Sequence, residues 1–204
     1  MITIKLKNFF IKFDFTFFAV LFLFMTFDTS GYGILSLYAC LLHETGHLIC
    51  MLLVKTKPTQ LLFYCAGMKI TAPKNYKLSF LSEFFVLIGG SGINFILFFV
   101  FYFSSDMLSL KLPTFAIINL LIGVFNLIPV NMFDGGKIIE LILLKFVLPD
   151  TAYYINKILG LVFTTSTLIS AIILYSLDIV NFTVVATLCY VCVTCLLTDR
   201  QKLL

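Results

Sequence analysis

Long apolar runs parted by short polar breaks organise this chain. Residues 9–27 form the first run, rich in Phe, with Lys5, Lys7 and Lys12 before and within its start and Asp14 at its edge. Asp28-Thr29-Ser30-Gly31 reads as a turn. Residues 33–54, 80–103, 153–176 and 179–197 form further runs, and a run over 112–147 is broken near Pro129. A helix of about 20 apolar residues spans a bilayer core. The pattern therefore predicts an all-α membrane protein, a six-transmembrane helical bundle in a single domain over 1–204. Residues 55–79 depart from it. Pro58 and Pro73 break helices. Between them, Leu61 to Thr71 alternates like a strand, turning at Gly67, which predicts a short membrane-edge β segment near 60–71.

Composition agrees with the pattern. Of 204 residues, 61% are hydrophobic and 12% charged, against about 45–50% and 25% in soluble domains. A net charge of +4 does not signal nucleic-acid binding. The lysines gather at the N-terminus, in 55–79 and in the later connections on the same side, whereas Lys111 stands alone on the other. That bias predicts cytosolic N- and C-termini in a multi-pass protein of a cell membrane, with the first run retained. Five of the six cysteines, among them Cys189, Cys192 and Cys195, sit in apolar runs without polar support and read as small buried hydrophobes; Cys65 lies in a connecting segment.

The second run carries His43-Glu44-Thr45-Gly46-His47, an H-E-x-x-H pattern containing the only two histidines of the chain. Residues four apart on a helix share a face, so both imidazoles can hold one zinc ion. Glu44 can act as general base toward a water on that ion. Zinc in a catalytic site takes a third protein ligand. Of the acids at membrane depth, Glu83, Asp134 and Glu140, Asp134 stands out because it follows the Pro129 break and precedes Gly135-Gly136. Its competing role is an N-cap for the next helix. Irregular backbone at such depth must line protein or a wet cavity. Asn94, in Gly89-Gly90-Ser91-Gly92-Ile93-Asn94, either orients a metal ligand or bridges two helices.

The His43–His47 motif, followed by Asn126-Leu127-Ile128-Pro129 and Asp134-Gly135-Gly136, resembles the site-2 protease family of intramembrane zinc metalloproteases. That family carries H-E-x-G-H in one membrane helix and N-x-x-P-x-x-x-x-D-G in another. Gly89 to Asn94 resembles its intervening small-residue segment, without the usual proline. Six spans with the motif in the second most resemble the sporulation-type bacterial members without their C-terminal nucleotide-sensing domain. The resemblance implies regulated proteolysis of a membrane-embedded or membrane-associated protein, such as a transcription-factor precursor or anti-sigma factor, with inhibitory or activating membrane partners. It implies Zn2+ held by His43, His47 and Asp134, Glu44 as general base, and Asn126 holding substrate or polarising its carbonyl. A substrate helix must unwind to be cut. An unwound segment is expected to pair with the strand edge at 60–71, through residues such as Leu62 and Tyr64. The alternative reading is a membrane metal-ion transporter, which would spread acids or histidines over several spans.

Overall fold

Strand alternation begins the chain. Ile2–Leu6 (β1) pairs antiparallel with Phe9–Phe13 (β2). The computed structural model describes all residues except 7–8, 29, 57, 65–66, 72–77, 105–110 and 198–204. The run expected as a first span over 9–27 is thus divided: only Phe15–Phe27 (α1), 13 residues, is helical. Phe9-Phe10-Ile11-Lys12-Phe13 is aromatic and β-branched, a composition that suits helix and strand alike until a partner strand decides. Asp14 ends β2 and starts α1. Its N–H donates to Phe63 O at 2.8 Å, and its Oδ1 accepts from the backbone N–H and hydroxyl of Thr16, both at 2.9 Å.

The partner is Gln60–Tyr64 (β3), which lies parallel to β2 and antiparallel to Gly67–Thr71 (β4). The sheet order is β1-β2-β3-β4. The register places Ile4, Ile11 and Leu61 in one row, and Ile2, Phe13 and Phe63 in another two residues along, so these six share a face. Phe13 stacks on Phe63 with ring centroids 4.6 Å apart, and Phe17 of α1 meets Phe63 at 5.3 Å. The intervening rows, Thr3 with Lys12 and Leu62 and Lys5 with Phe10 and Gln60, form the opposite face, which is more polar. The β segment expected near 60–71 is therefore half of a four-stranded sheet. Gly67 opens β4 opposite Tyr64; Cys65 and the turn itself lie outside the described residues, as do Lys7, Lys57, Lys74 and Lys77.

The chain divides into two compact units, Met1–Phe125 and Asn126–Leu204. The first holds the sheet, α1, Tyr32–Leu53 (α2), Phe80–Phe103 (α3) and most of Lys111–Asn126 (α4). Asp28 secures the start of α2. Its two carboxylate oxygens accept from Gly31 N at 2.9 Å, Gly33 N at 2.7 Å and Ile34 N at 3.2 Å, and from the Ser30 hydroxyl at 2.8 Å. These bonds, the Ser30 hydroxyl first, hold the Asp28 carboxyl below the usual aspartate range. Ser79 caps α3, accepting from Ser82 N. The second unit holds Asp134–Leu143 (α5), Pro149–Ser176 (α6) and Phe182–Leu197 (α7). α6 begins earlier than the hydropathy suggests because Pro149, with its preset φ, fits the first helical position and Asp150 favours the first turn.

Three described helices, α2, α3 and α6, are long and apolar enough to cross a membrane; α4 and α7 are shorter apolar helices. Large apolar side chains such as Phe103, Phe146, Tyr154 and Val162 stand exposed. So broad an apolar surface suits lipid contact rather than water. The apolar helices mark a multi-pass membrane protein.

Candidate metal centre

Helical periodicity sets one stripe of α2 inward: Ala39, His43, Gly46, His47, Cys50 and Met51 are buried. The stripe meets Gly89, Gly90, Ser91 and Asn94, the buried positions of α3. Small residues let the two backbones approach. A Cβ on Gly46 would run into the Gly89 carbonyl, and one on Gly89 into the Cys50 sulfur.

The histidines are held from behind. His43 Nδ1 donates to Asn94 Oδ1 at 2.7 Å, and His47 Nδ1 donates to Val86 O at 2.8 Å. A carbonyl oxygen only accepts, so the partners assign the proton of both rings to Nδ1. Each Nε2 then presents a lone pair, and the two Nε2 atoms lie 3.2 Å apart. The space beside them is open because residue 90 is glycine: a Cβ there would sit 2.5 Å from His47 Nε2 and 2.6 Å from His43 Nε2. A metal ion bound by imidazole needs about 2.0–2.1 Å. Donor type, tautomer and cradle all fit zinc. Glu44 follows His43 on α2 and is partly buried.

Asn94 takes both roles considered for it. Besides accepting from His43, its Nδ2 donates to Ala39 O of α2 at 3.3 Å and to Asn119 Oδ1 of α4 at 2.9 Å. The small-residue segment of α3 thus has a local function at Gly89, Gly90 and Asn94. Asn119 was not expected from the sequence. Its only signal is an amide inside an apolar helix, the signal that singled out Asn94.

In the second unit α4 ends at Asn126, half-buried, and the chain turns through Pro129; Phe133 N donates to Val130 O at 2.8 Å. The N-cap of α5 is Phe133, so Asp134 is the first helical residue and does not take the capping role. The buried Asp134 accepts through Oδ1 from Lys137 Nζ at 3.1 Å. A cation in a first turn opposes the helix dipole, so this carboxylate is what favours Lys137 there. Gly135 and Gly136 are required by close approach: a Cβ on the first would meet the Leu127 carbonyl, on the second the Val130 carbonyl. Asn156, fully buried on α6, donates through Nδ2 to Gly136 O at 2.8 Å and steadies the same turn.

The expected substrate contacts at Leu62 and Tyr64 need correction. β3 lies between β2 and β4, with Leu62 opposite Lys12 on one side and Lys69 on the other, and Tyr64 opposite Gly67. Both backbone edges are occupied over 61–63, so no further segment can pair with Leu62, and Tyr64 is paired on its β4 side. The edge strands of the sheet are β1 and β4. Hydropathy found the strand but could not see the N-terminal hairpin that covers it.

Residues 110–167, which include α4, the Pro129 break, Asp134, α5 and most of α6, match the model of peptidase family M50. No curated protein matches the chain. Among solved structures it is similar to the site-2 protease from Methanocaldococcus jannaschii, with a TM-score of 0.68 and 22% identity over 100% of this chain and 99% of that one. That likeness establishes the fold. The peptidase match and the site-2 protease fold indicate that this chain is a protease.

Proposed function

We propose that the chain is an intramembrane zinc metalloendopeptidase that performs regulated proteolysis on a membrane-embedded or membrane-associated protein. The observation that carries this reading is the pair of Nε2 atoms 3.2 Å apart beside the Gly90 cradle, on a helix of membrane-spanning length. The two motifs, His43-Glu44-Thr45-Gly46-His47 and Asp134-Gly135, make His43, His47 and Asp134 the proposed ligand set. Lys137 Nζ holds Asp134 Oδ1 at 3.1 Å. Bound zinc would supply Lewis-acid polarisation and lower the pKa of a water to about 7.

The remaining work falls to the chain itself. Glu44 takes the proton from the attacking water and returns it to the leaving amine. Asn126 donates a hydrogen bond to the carbonyl oxygen as its charge develops. An unwound substrate segment adds to the outer edge of β4, where backbone bonds give loose side-chain specificity. The lysine bias puts both termini and the sheet on the cytosolic side. Cleavage then falls near the cytosolic end of the substrate helix. A sporulation-type substrate, a membrane-associated transcription-factor precursor, fits this arrangement, with other membrane proteins as inhibitors or activators.

The test is co-expression with candidate single-span substrates, comparing wild type with Glu44→Gln. Glu44 is not a ligand, so the variant is expected to keep its zinc and lose cleavage by about 10²–10⁴-fold, the usual weight of a general base. Cleavage at the wild-type rate would end the protease reading. Asp134→Ala with unchanged zinc affinity would remove Asp134 from the ligand set.

A further inference from the structure

Asn119 touches neither histidine, yet the hydrogen bonds run from it to His43 in one direction. It is fully buried on α4. A buried amide in apolar surroundings is costly unless its polar atoms are bonded. Its Nδ2 donates to Phe115 O at 2.8 Å. A backbone carbonyl can only accept, so this bond fixes which way the amide points and turns Oδ1 toward Asn94. Oδ1 can also only accept, so the Asn94 atom facing it at 2.9 Å is Nδ2. That leaves Asn94 Oδ1 toward His43 Nδ1 at 2.7 Å, and His43 must carry its proton there. The other anchor of Asn94, Ala39 O, lies at 3.3 Å, longer than the usual range of about 2.7–3.2 Å for such a bond.

We infer that Asn119 is a positioning residue that sets the tautomer of His43. It holds the Asn94 amide in the orientation that keeps the proton on Nδ1 and the lone pair on Nε2. The inference rests on the proposed metal centre for its purpose, but the tautomer is a property of the metal-free protein. With an apolar residue at 119, Asn94 keeps only its longer anchor. In a fraction of molecules the amide turns over and offers Nδ2 to His43 Nδ1. That favours the proton on Nε2, where it blocks ligation.

Because the chain has only two histidines, isotope-labelled histidine gives a spectrum of two rings. The experiment is nitrogen NMR of the metal-free protein at mildly alkaline pH, with a zinc competition titration on the same samples. Wild type should show His43 Nδ1 protonated. In Asn119→Leu that proton should be lost in a measurable fraction of molecules. His47, anchored on Val86 O, should not change, and zinc affinity should fall about tenfold, the low end for residues that orient a ligand. Asn119→Asp should restore both readouts, since a neutral carboxylic acid in this buried place donates to Phe115 O and accepts from Asn94. Asn119→Ala carries the same expectation as Asn119→Leu and decides the matter if the leucine variant does not fold. An unchanged His43 ring in these apolar variants overturns the inference. So does a loss in Asn119→Asp equal to that in Asn119→Leu, or a change in both rings together, because either outcome reports packing alone. A wild-type protein with the expected tautomer but no zinc affinity would sink the metal reading and leave the role of Asn119 standing.

Discussion

Two helix pairs in this chain, α2 with α3 and α6 with α7, are both apolar and satisfy their polar groups differently. In α6 and α7 the hydroxyls serve their own helix. Thr164 donates to Gly160 O at 2.8 Å, Thr165 to Leu161 O at 2.7 Å, Ser170 to Ser166 O at 2.9 Å and Thr187 to Thr183 O at 2.8 Å. A hydroxyl satisfied four residues back needs no neighbour and specifies none. In α2 and α3 the hydroxyls of Ser36 and Thr45 also stay local, but the imidazoles and the amide cross between elements: His43 to Asn94, His47 to Val86 O, Asn94 to Ala39 O and Asn119. An amide or imidazole inside apolar surroundings must find a partner, so it fixes the rotation and register of its helix against the next. Polar residues that close their bonds locally make a helix tolerable to lipid, whereas those that reach across, Asn156 of α6 among them, fix one element against another.

The glycines sharpen the contrast, and they carry the largest expected effect. A Cβ on Gly160 of α6 would meet Pro129 O at 3.3 Å and Cys195 Sγ at 3.4 Å, close to ordinary contact. Gly160→Ala should therefore shift stability by less than about 1 kcal/mol, since helix propensity offsets the crowding. Gly90→Ala puts its methyl beside both Nε2 atoms. It should cost about 1–3 kcal/mol through overpacking and abolish zinc binding. Metal content and thermal unfolding of the two purified variants check this. Zinc retained by Gly90→Ala would mean that the cradle is not where the ion sits.

An intermediate effect should come from the polar side chains. Asn94→Leu removes the acceptor behind His43 and should weaken zinc binding about 10–100-fold, while Thr165→Val on α6 should leave zinc affinity and unfolding unchanged. Equal behaviour of the two variants in a competition titration would erase the distinction between local and crossing polar groups.

The smallest effect belongs to Asp28, which starts the site-bearing helix from outside the apolar region. Its pKa is depressed in the folded protein, so its contribution is present above the ordinary aspartate value of about 3.9 and is lost as pH falls through the lower folded value. Asp28→Asn should unfold slightly earlier than wild type at neutral pH, and the gap should close below about pH 4. A gap that persists at lower pH would show that the carboxylate charge is not what holds the start of α2.

The sequence alone was enough to single out the histidine pair, the glutamate beside it, the Asp134 turn and Gly135-Gly136. These are local: spacing of four on a helix, an adjacent residue, a proline, and two positions without side chains. Apolar runs likewise marked α2, α3 and α6. Hydropathy records what a residue avoids and not which residue it meets, and there the reading stopped. Residues 9–13 became strand because β1 and β3 supplied partners from positions 2–6 and 60–63. The same pairing covered β3 and left β1 and β4 as the edge strands. The cradle at Gly90 and the bonds from Phe115 O to His43 join residues dozens of positions apart. Only packing brings those backbones close enough for a missing methyl or an amide's orientation to matter.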